Sequence, residues 1–227
     1  MPIPKLPIVI LISGSGSNLQ AIIRATEENE LPVEIRAVIS NRPDAKGLQR
    51  ANRAGLRTEV IDHTTFDNRE AFDDALKHCI DNFEPRLVVL AGFMRLLTDN
   101  FVNHHLGRML NIHPSLLPAF KGLNTHARAL AAFKEGAVKE HGASVHFVTT
   151  ELDGGPVIIQ APVPIRPDDT PETLAARVLE CEHRIYPQAI RWFAEGRLRL
   201  QGNQVWLDEQ VLSAPVIFDA DNPELIS

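Results

Sequence analysis

The chain has 227 residues, 44% of them hydrophobic and 23% charged, and a formal charge of −6 at pH 7. These values describe a globular protein with one substantial core, and they exclude a disordered chain and a broad basic surface for nucleic acid. Its longest nearly unbroken apolar runs, Ile8 to Ile12 and Leu87 to Met94, fall far short of the ~20 residues a spanning helix needs, so no membrane contact is expected.

Met1 to Lys5 lack the basic region, apolar run and cleavage site of a secretory signal, which points to the cytoplasm. Cys79 and Cys181 are the only cysteines. Each falls among helical apolar positions and is expected as a buried thiol, not as half of a disulfide. The chain, 1–227, is expected to form one domain, with the fold spanning about Ile8 to Leu207 and a tail from Asp208.

In chain order, Leu6 to Ser13 predicts a strand, and Ser17-Asn18-Leu19-Gln20 offers a capping box for a helix carrying Leu19, Ile22 and Ile23. Val33 to Ser40 predicts a second strand, followed by a helix through Leu48 and Ala51 that stops at Gly55. After a short strand, Thr58 to Ile61, the run Asp67-Asn68-Arg69-Glu70 offers another capping box, and Phe72, Ala75, Leu76, Cys79, Ile80 and Phe83 trace one helical face. Leu87 to Ala91 is apolar without alternation, as befits a central parallel strand covered on both sides. Arg108 to Ile112 predicts a strand ending at Asn111-Ile112-His113-Pro114, and Thr125 to Glu135 a helix.

Ala143, Val145 and Phe147 alternate with Ser144, His146 and Val148, the pattern of a strand with unlike faces. Glu151 to Gly155 then turns the chain into Pro156 to Val163. Thr170-Pro171 opens a long helix with apolar positions at Leu174, Val178, Cys181 and Ile185, a kink at Pro187 and a stop at Gly196. Gly202-Asn203 centres a terminal hairpin. The succession predicts an α/β fold, a mostly parallel twisted sheet with helices on both faces and a C-terminal hairpin.

Ligands of such sheets collect outside the carboxyl ends of the strands, which singles out Ser13 to Asn18, Met94 to Leu97 and Asn111 to Pro114. The backbone N–H groups of Gly14-Ser15-Gly16-Ser17-Asn18 can face a phosphate at a helix start, although the same residues also suit a plain connection. No third glycine follows for a dinucleotide fingerprint, and no Gly-Lys-Ser/Thr for a P-loop. Asn111 and His113, two apart at a strand end, face alike and can serve one reacting atom as oxyanion donor and proton carrier. Asp153 precedes two glycines, which suits either a turn or close approach to a ligand. His141 and His146 lie five apart on a strand and no Cys pair accompanies them, so no metal centre is expected.

Taken together, Gly14 to Leu19 (GSGSNL), Val89 to Leu97 (VLAGFMRLL), Asn111 to Pro118 (NIHPSLLP), Glu151 to Pro156 (ELDGGP) and Glu182 to Pro187 (EHRIYP) closely resemble the phosphoribosylglycinamide formyltransferases of purine synthesis. The resemblance implies a Rossmann-like formyltransferase fold, a donor, 10-formyltetrahydrofolate, and an acceptor, 5-phosphoribosylglycinamide. It assigns Gly16, Ser17 and Asn18 to the acceptor phosphate and Glu182 to the glycinamide-ribose portion. Arg69, Met94, Arg95, Leu96, Leu97 and Asn111 fall to the folate, and Asn111, His113 and Asp153 to catalysis. It also implies direct attack by the acceptor amine, with neither a metal nor an acyl-enzyme. Asn124 departs from the family pattern, which leaves the path of residues 119–126 open. A monomer and a homodimer both remain compatible. The rivals are methionyl-tRNA formyltransferase, formyltetrahydrofolate hydrolase and a non-catalytic nucleotide-binding module.

Overall fold

The computed structural model describes residues 5–219, so the expectations for Met1 to Pro4 and for the end of the tail lie outside the described residues. The first half comprises β1 (Leu6–Ile12), α1 (Ser17–Glu27), β2 (Val33–Ser40), α2 (Lys46–Arg53), β3 (Thr58–Val60), α3 (Arg69–Asp81) and β4 (Leu87–Leu90). The second comprises α4 (Asp99–His104), β5 (Met109–His113), α5 (Thr125–Lys134), β6 (Glu140–Phe147), β7 (Val157–Pro164) and α6 (Pro171–Ala194). Four short strands follow: β8 (Leu198–Gln201), β9 (Gln204–Leu207), β10 (Gln210–Val211) and β11 (Val216–Ile217).

Eight strands form one sheet in the order β11-β7-β6-β5-β4-β1-β2-β3. From β3 to β5 every pairing is parallel, whereas β6 runs antiparallel to both β5 and β7. Chain order reverses direction across the sheet between β1 and β4, and the loops leaving these two strands border a crevice at their carboxyl ends.

Both faces of the central strands are apolar because both are covered. Ile8, Ile10 and Ile12 of β1 and Leu87 and Val89 of β4 enter the core beneath α1, α2, α5 and α6. Val9, Leu11, Val88 and Leu90 enter the opposite core with Phe72, Leu76 and Ile80 of α3 and Phe101 and Val102 of α4. Tyr186 of α6, fully buried, brings its hydroxyl within 2.9 Å of both the Leu90 and Leu110 carbonyls, pinning the helix to β4 and β5 beside the crevice.

Several local expectations need correction. Gly16, in a left-handed conformation, is the N-cap of α1 and no side chain caps the helix, so Ser17 forms no capping box. At α3 the cap is Asn68, whose side chain accepts the Ala71 N–H; the sequence pattern was displaced by one residue. α4, capped by Thr98, has no counterpart in the sequence reading, because six residues are too few to show a helical period. Thr170 does form a reciprocal box with Thr173, and α6 continues through Pro187. Ser144 and His146 are buried, so the two faces of β6 differ in chemistry and not in exposure. Cys79 and Cys181 are free but only half-buried. Beyond the expected hairpin of β8 and β9, the tail adds β10 to it and sends β11 back to pair parallel with β7.

Candidate active site

Asn111 and His113 project from the end of β5 toward the side of the sheet that carries α3 and α4, while Leu110 and Ile112 enter the other core. Antiparallel register places His146 opposite Asn111 and Ser144 opposite His113. The His146 ring lies with Nδ1 2.9 Å from the Phe147 carbonyl and Nε2 3.1 Å from Asn111 Nδ2. Burial drives the His146 pKa from 6.5 down to about 4, so the ring is neutral near pH 7. With Nδ1 donating to the carbonyl, Nε2 must accept, which fixes the Asn111 amide and leaves its second N–H to point elsewhere.

His113 is buried, with Nδ1 3.5 Å from Asp153 Oδ2 and Nε2 3.1 Å from the Phe120 carbonyl. The same Asp153 oxygen accepts the Gly122 N–H at 2.8 Å. Asp153 thus touches both the strand-end histidine and the 119–126 loop. That loop crosses His113 with Phe120, Gly122 and Asn124 in left-handed conformations. Asn124 is the N-cap of α5 at φ 56°, a geometry that asparagine tolerates better than most residues. Ser144 Oγ, in turn, accepts the Leu117 N–H and donates to the Ser115 carbonyl, holding the chain that leaves His113.

The two glycines after Asp153 have different reasons: a Cβ on Gly154 would meet the Glu151 side chain within the turn, as a sharp turn requires. A Cβ on Gly155 would lie 1.8 Å from the Phe147 carbonyl oxygen, so the requirement comes from the neighbouring strand. Asp153 itself takes the left-handed conformation of the turn.

Gly14 to Asn18 line a crevice of about 470 Å³ together with Asn41, Arg42, Met94, Arg95 and Glu182. Ser13 Oγ donates to Asn41 Oδ1 at 2.6 Å and accepts the Met94 N–H at 2.7 Å, so one buried hydroxyl ties the ends of β1 and β2 to the loop after β4. Gly16 approaches Gly47 so closely that a Cβ on it would lie 2.6 Å from the Gly47 Cα. Glu182 is buried and accepts from Asn18 Nδ2 at 2.7 Å. Burial pushes its carboxyl up to about 7 against the pull of that hydrogen bond.

A smaller cleft of about 120 Å³ adjoins Asn111 and Asp153 and is walled by Phe93, Arg95, Leu96, Leu97 and Val148. Met94 and Leu96 are 70% and 56% exposed, apolar side chains at the mouths of these two spaces. Arg95 lies over the Phe72 ring. Arg69 stands apart: it is the exposed first residue of α3 and lines neither cleft. A wider groove between α1 and α6 contains none of Asn111, His113 and Asp153. His146 is the site residue the sequence did not reveal, and Ser13, which opens one of the three segments singled out, was given no role of its own there. Only the cross-strand register and the loop contacts give them their positions.

The formyl transferase family matches residues 6–190. The chain is 56% identical to the phosphoribosylglycinamide formyltransferase of Escherichia coli over 205 residues, covering 90% of this chain and 95% of that protein. It is 45% identical over 208 residues to the human trifunctional purine biosynthetic protein adenosine-3, covering 91% of this chain but 20% of that larger protein. The structure of the Coxiella burnetii phosphoribosylglycinamide formyltransferase superposes with a TM-score of 0.90 at 55% identity, covering 95% of this chain and all of that one. Family match, sequence identity and fold therefore agree that the chain belongs to the formyl transferase family.

Proposed function

We propose that this chain transfers the formyl group of 10-formyltetrahydrofolate to the amine of 5-phosphoribosylglycinamide, a step of purine synthesis, and that it does so in the cytoplasm. The observations that carry this reading are His113 facing Asp153, Asn111 sharing a cleft with Asp153, and their neighbours Ile112 and Pro114 lining the crevice of a Gly/Ser loop at a helix start, in a chain 56% identical to an enzyme of that name. The helix start and backbone N–H groups at Gly16, Ser17 and Asn18 suit the acceptor phosphate. Glu182 closes the same crevice and suits the glycinamide-ribose portion. The apolar side chains of Met94, Leu96 and Leu97 and the guanidinium of Arg95 suit a flat heterocycle. Arg69 fits only a longer reach, toward an acidic folate tail outside the cleft.

Attack of a neutral amine on the formyl carbon leaves negative charge on the formyl oxygen. The Asn111 N–H not used by His146 can donate to that oxygen, and so can His113 Nε2 once it leaves the Phe120 carbonyl it meets at 3.1 Å; one such donor typically lowers a barrier by ~3 to 4 kcal/mol. The amine becomes cationic on addition and sheds a proton to the His113 ring, which hands one to the departing folate nitrogen; Asp153, facing Nδ1, holds the ring. The amine is itself the nucleophile, so no acyl-enzyme is needed. Burial raises the pKa of both cysteine thiols, which keeps them protonated and unsuited to that role.

Purified protein, 10-formyltetrahydrofolate and one acceptor at a time provide the test. Rapid product formation is expected with phosphoribosylglycinamide and not with methionyl-tRNA or water. Faster turnover with either of the others would assign the chain to a different formyl-handling reaction.

A further inference from the structure

α3 and α4 end side by side at the amino-terminal edge of the parallel strands, away from Asn111 and His113. Asp81 is the last residue of α3, His104 the last of α4, and His105 caps α4. His104 Nε2 lies 2.9 Å from Asp81 Oδ2, and one ligand-type atom from each of Asp81, His104 and His105 falls within 4.8 Å of the others. His105 is fully buried, yet neither of its ring nitrogens has a hydrogen-bond partner. Buried polar atoms are rarely left so, and two on one ring call for an explanation.

We propose that Asp81, His104 and His105 form a binding site for a divalent transition-metal ion of the Zn²⁺ or Co²⁺ type. Two imidazole nitrogens and one carboxylate oxygen suit such an ion, whereas Mg²⁺ and Ca²⁺ favour all-oxygen sets. Three protein ligands leave a fourth position for water. The ligand atoms must draw together from 4.8 Å, and Asp81 and His104, each about 40% exposed, are free to rotate toward buried His105. Two cations lie nearby. Lys77 is paired with Asp74 at 2.7 Å, and Arg108 donates to the Pro85 and His104 carbonyls, so both weaken the site without occupying it. A bound ion would tie α3 to α4 at their carboxyl ends. At the other end the two are already linked, since Asp73 of α3 accepts the N–H of Thr98, the α4 cap. The ion would stand apart from formyl transfer.

Chelator-treated protein is titrated with Zn²⁺ near neutral pH by calorimetry and by NMR of the histidine rings. Binding of about one ion per chain is expected, with the His104 and His105 resonances shifted and a raised melting temperature. The exposed pair Asp81→Asn with His104→Gln should weaken binding on the order of tenfold or more while leaving circular dichroism and formyl transfer unchanged. Absence of binding, undiminished binding in the double variant, or shifts confined to other histidines would overturn the proposal. If the double variant fails to fold, the His105 resonance of the wild-type protein decides.

Discussion

Asp153 holds two neighbours with one oxygen, His113 Nδ1 at 3.5 Å and the Gly122 N–H at 2.8 Å. Asp153→Asn keeps an oxygen for Gly122 but removes the negative charge that faces the His113 ring. We expect kcat to fall by ~10²- to 10⁴-fold, with KM for both substrates and the melting temperature nearly unchanged. A lower melting temperature with near-normal kcat would instead make Asp153 a turn residue only. His146 acts one step back, through Asn111. Its replacement by Phe should lower kcat by roughly tenfold or more while sparing KM, because the Asn111 amide loses the acceptor that orients it. Unchanged kcat would show that Asn111 needs no such support. Residues of these two kinds were unequally legible in the sequence. Asn111, His113 and Asp153 sit in motifs, whereas His146 gains its position only when antiparallel pairing sets it across from Asn111.

The loop from β1 to α1 shows how one element can have two reasons for its glycines. A Cβ at Gly16 would meet the Gly47 backbone at 2.6 Å, and its φ of 71° disfavours any other residue. Gly16→Ala should therefore lower stability whether or not phosphate binds there, by ~1 kcal/mol or more. Gly14 has nothing within 4 Å of its Cβ position and lines the crevice. Gly14→Val should raise KM for phosphoribosylglycinamide more than for the folate, at a nearly constant melting temperature. Equal rises in both would remove the phosphate from this loop. β1 was legible as a continuous apolar run, and α6 because its 24 residues display a helical period. The capping boxes at Ser17 and Asp67 were misplaced, because Ser, Asp and Asn favour several adjacent positions and tertiary contacts choose among them. The short α4 and β11 depend on what they pack against.

At the scale of the molecule, buried titratable groups tie stability to pH. Burial lowers His105, His141 and His146 from 6.5 to about 4, and raises Glu182 from 4.5 to about 7. Between pH 6.5 and 4 the unfolded chain binds protons on the three histidines that the folded chain refuses, so acidification through this window costs stability. Glu182 has the opposite sign: its contribution is full below pH 4.5 and is lost as pH rises through about 7. With three groups against one, the melting temperature should fall from pH 6.5 to pH 4, and Glu182→Gln should steepen that fall. A flat profile in both proteins would contradict the burial of these groups. The parallel sheet and its covered faces were legible because its strands are apolar on both sides. The crevice was legible only as three loops, whose approach to one another depends on sheet order. Whether those loops perform formyl transfer is tested most directly by the initial rate from 10-formyltetrahydrofolate to phosphoribosylglycinamide for wild type, Asn111→Ala and His113→Ala. Wild type should form the N-formyl product, and each variant should lose ~10²- to 10³-fold in kcat while keeping the wild-type fold. No transfer by wild type, or variants that match its kcat, would contradict the account.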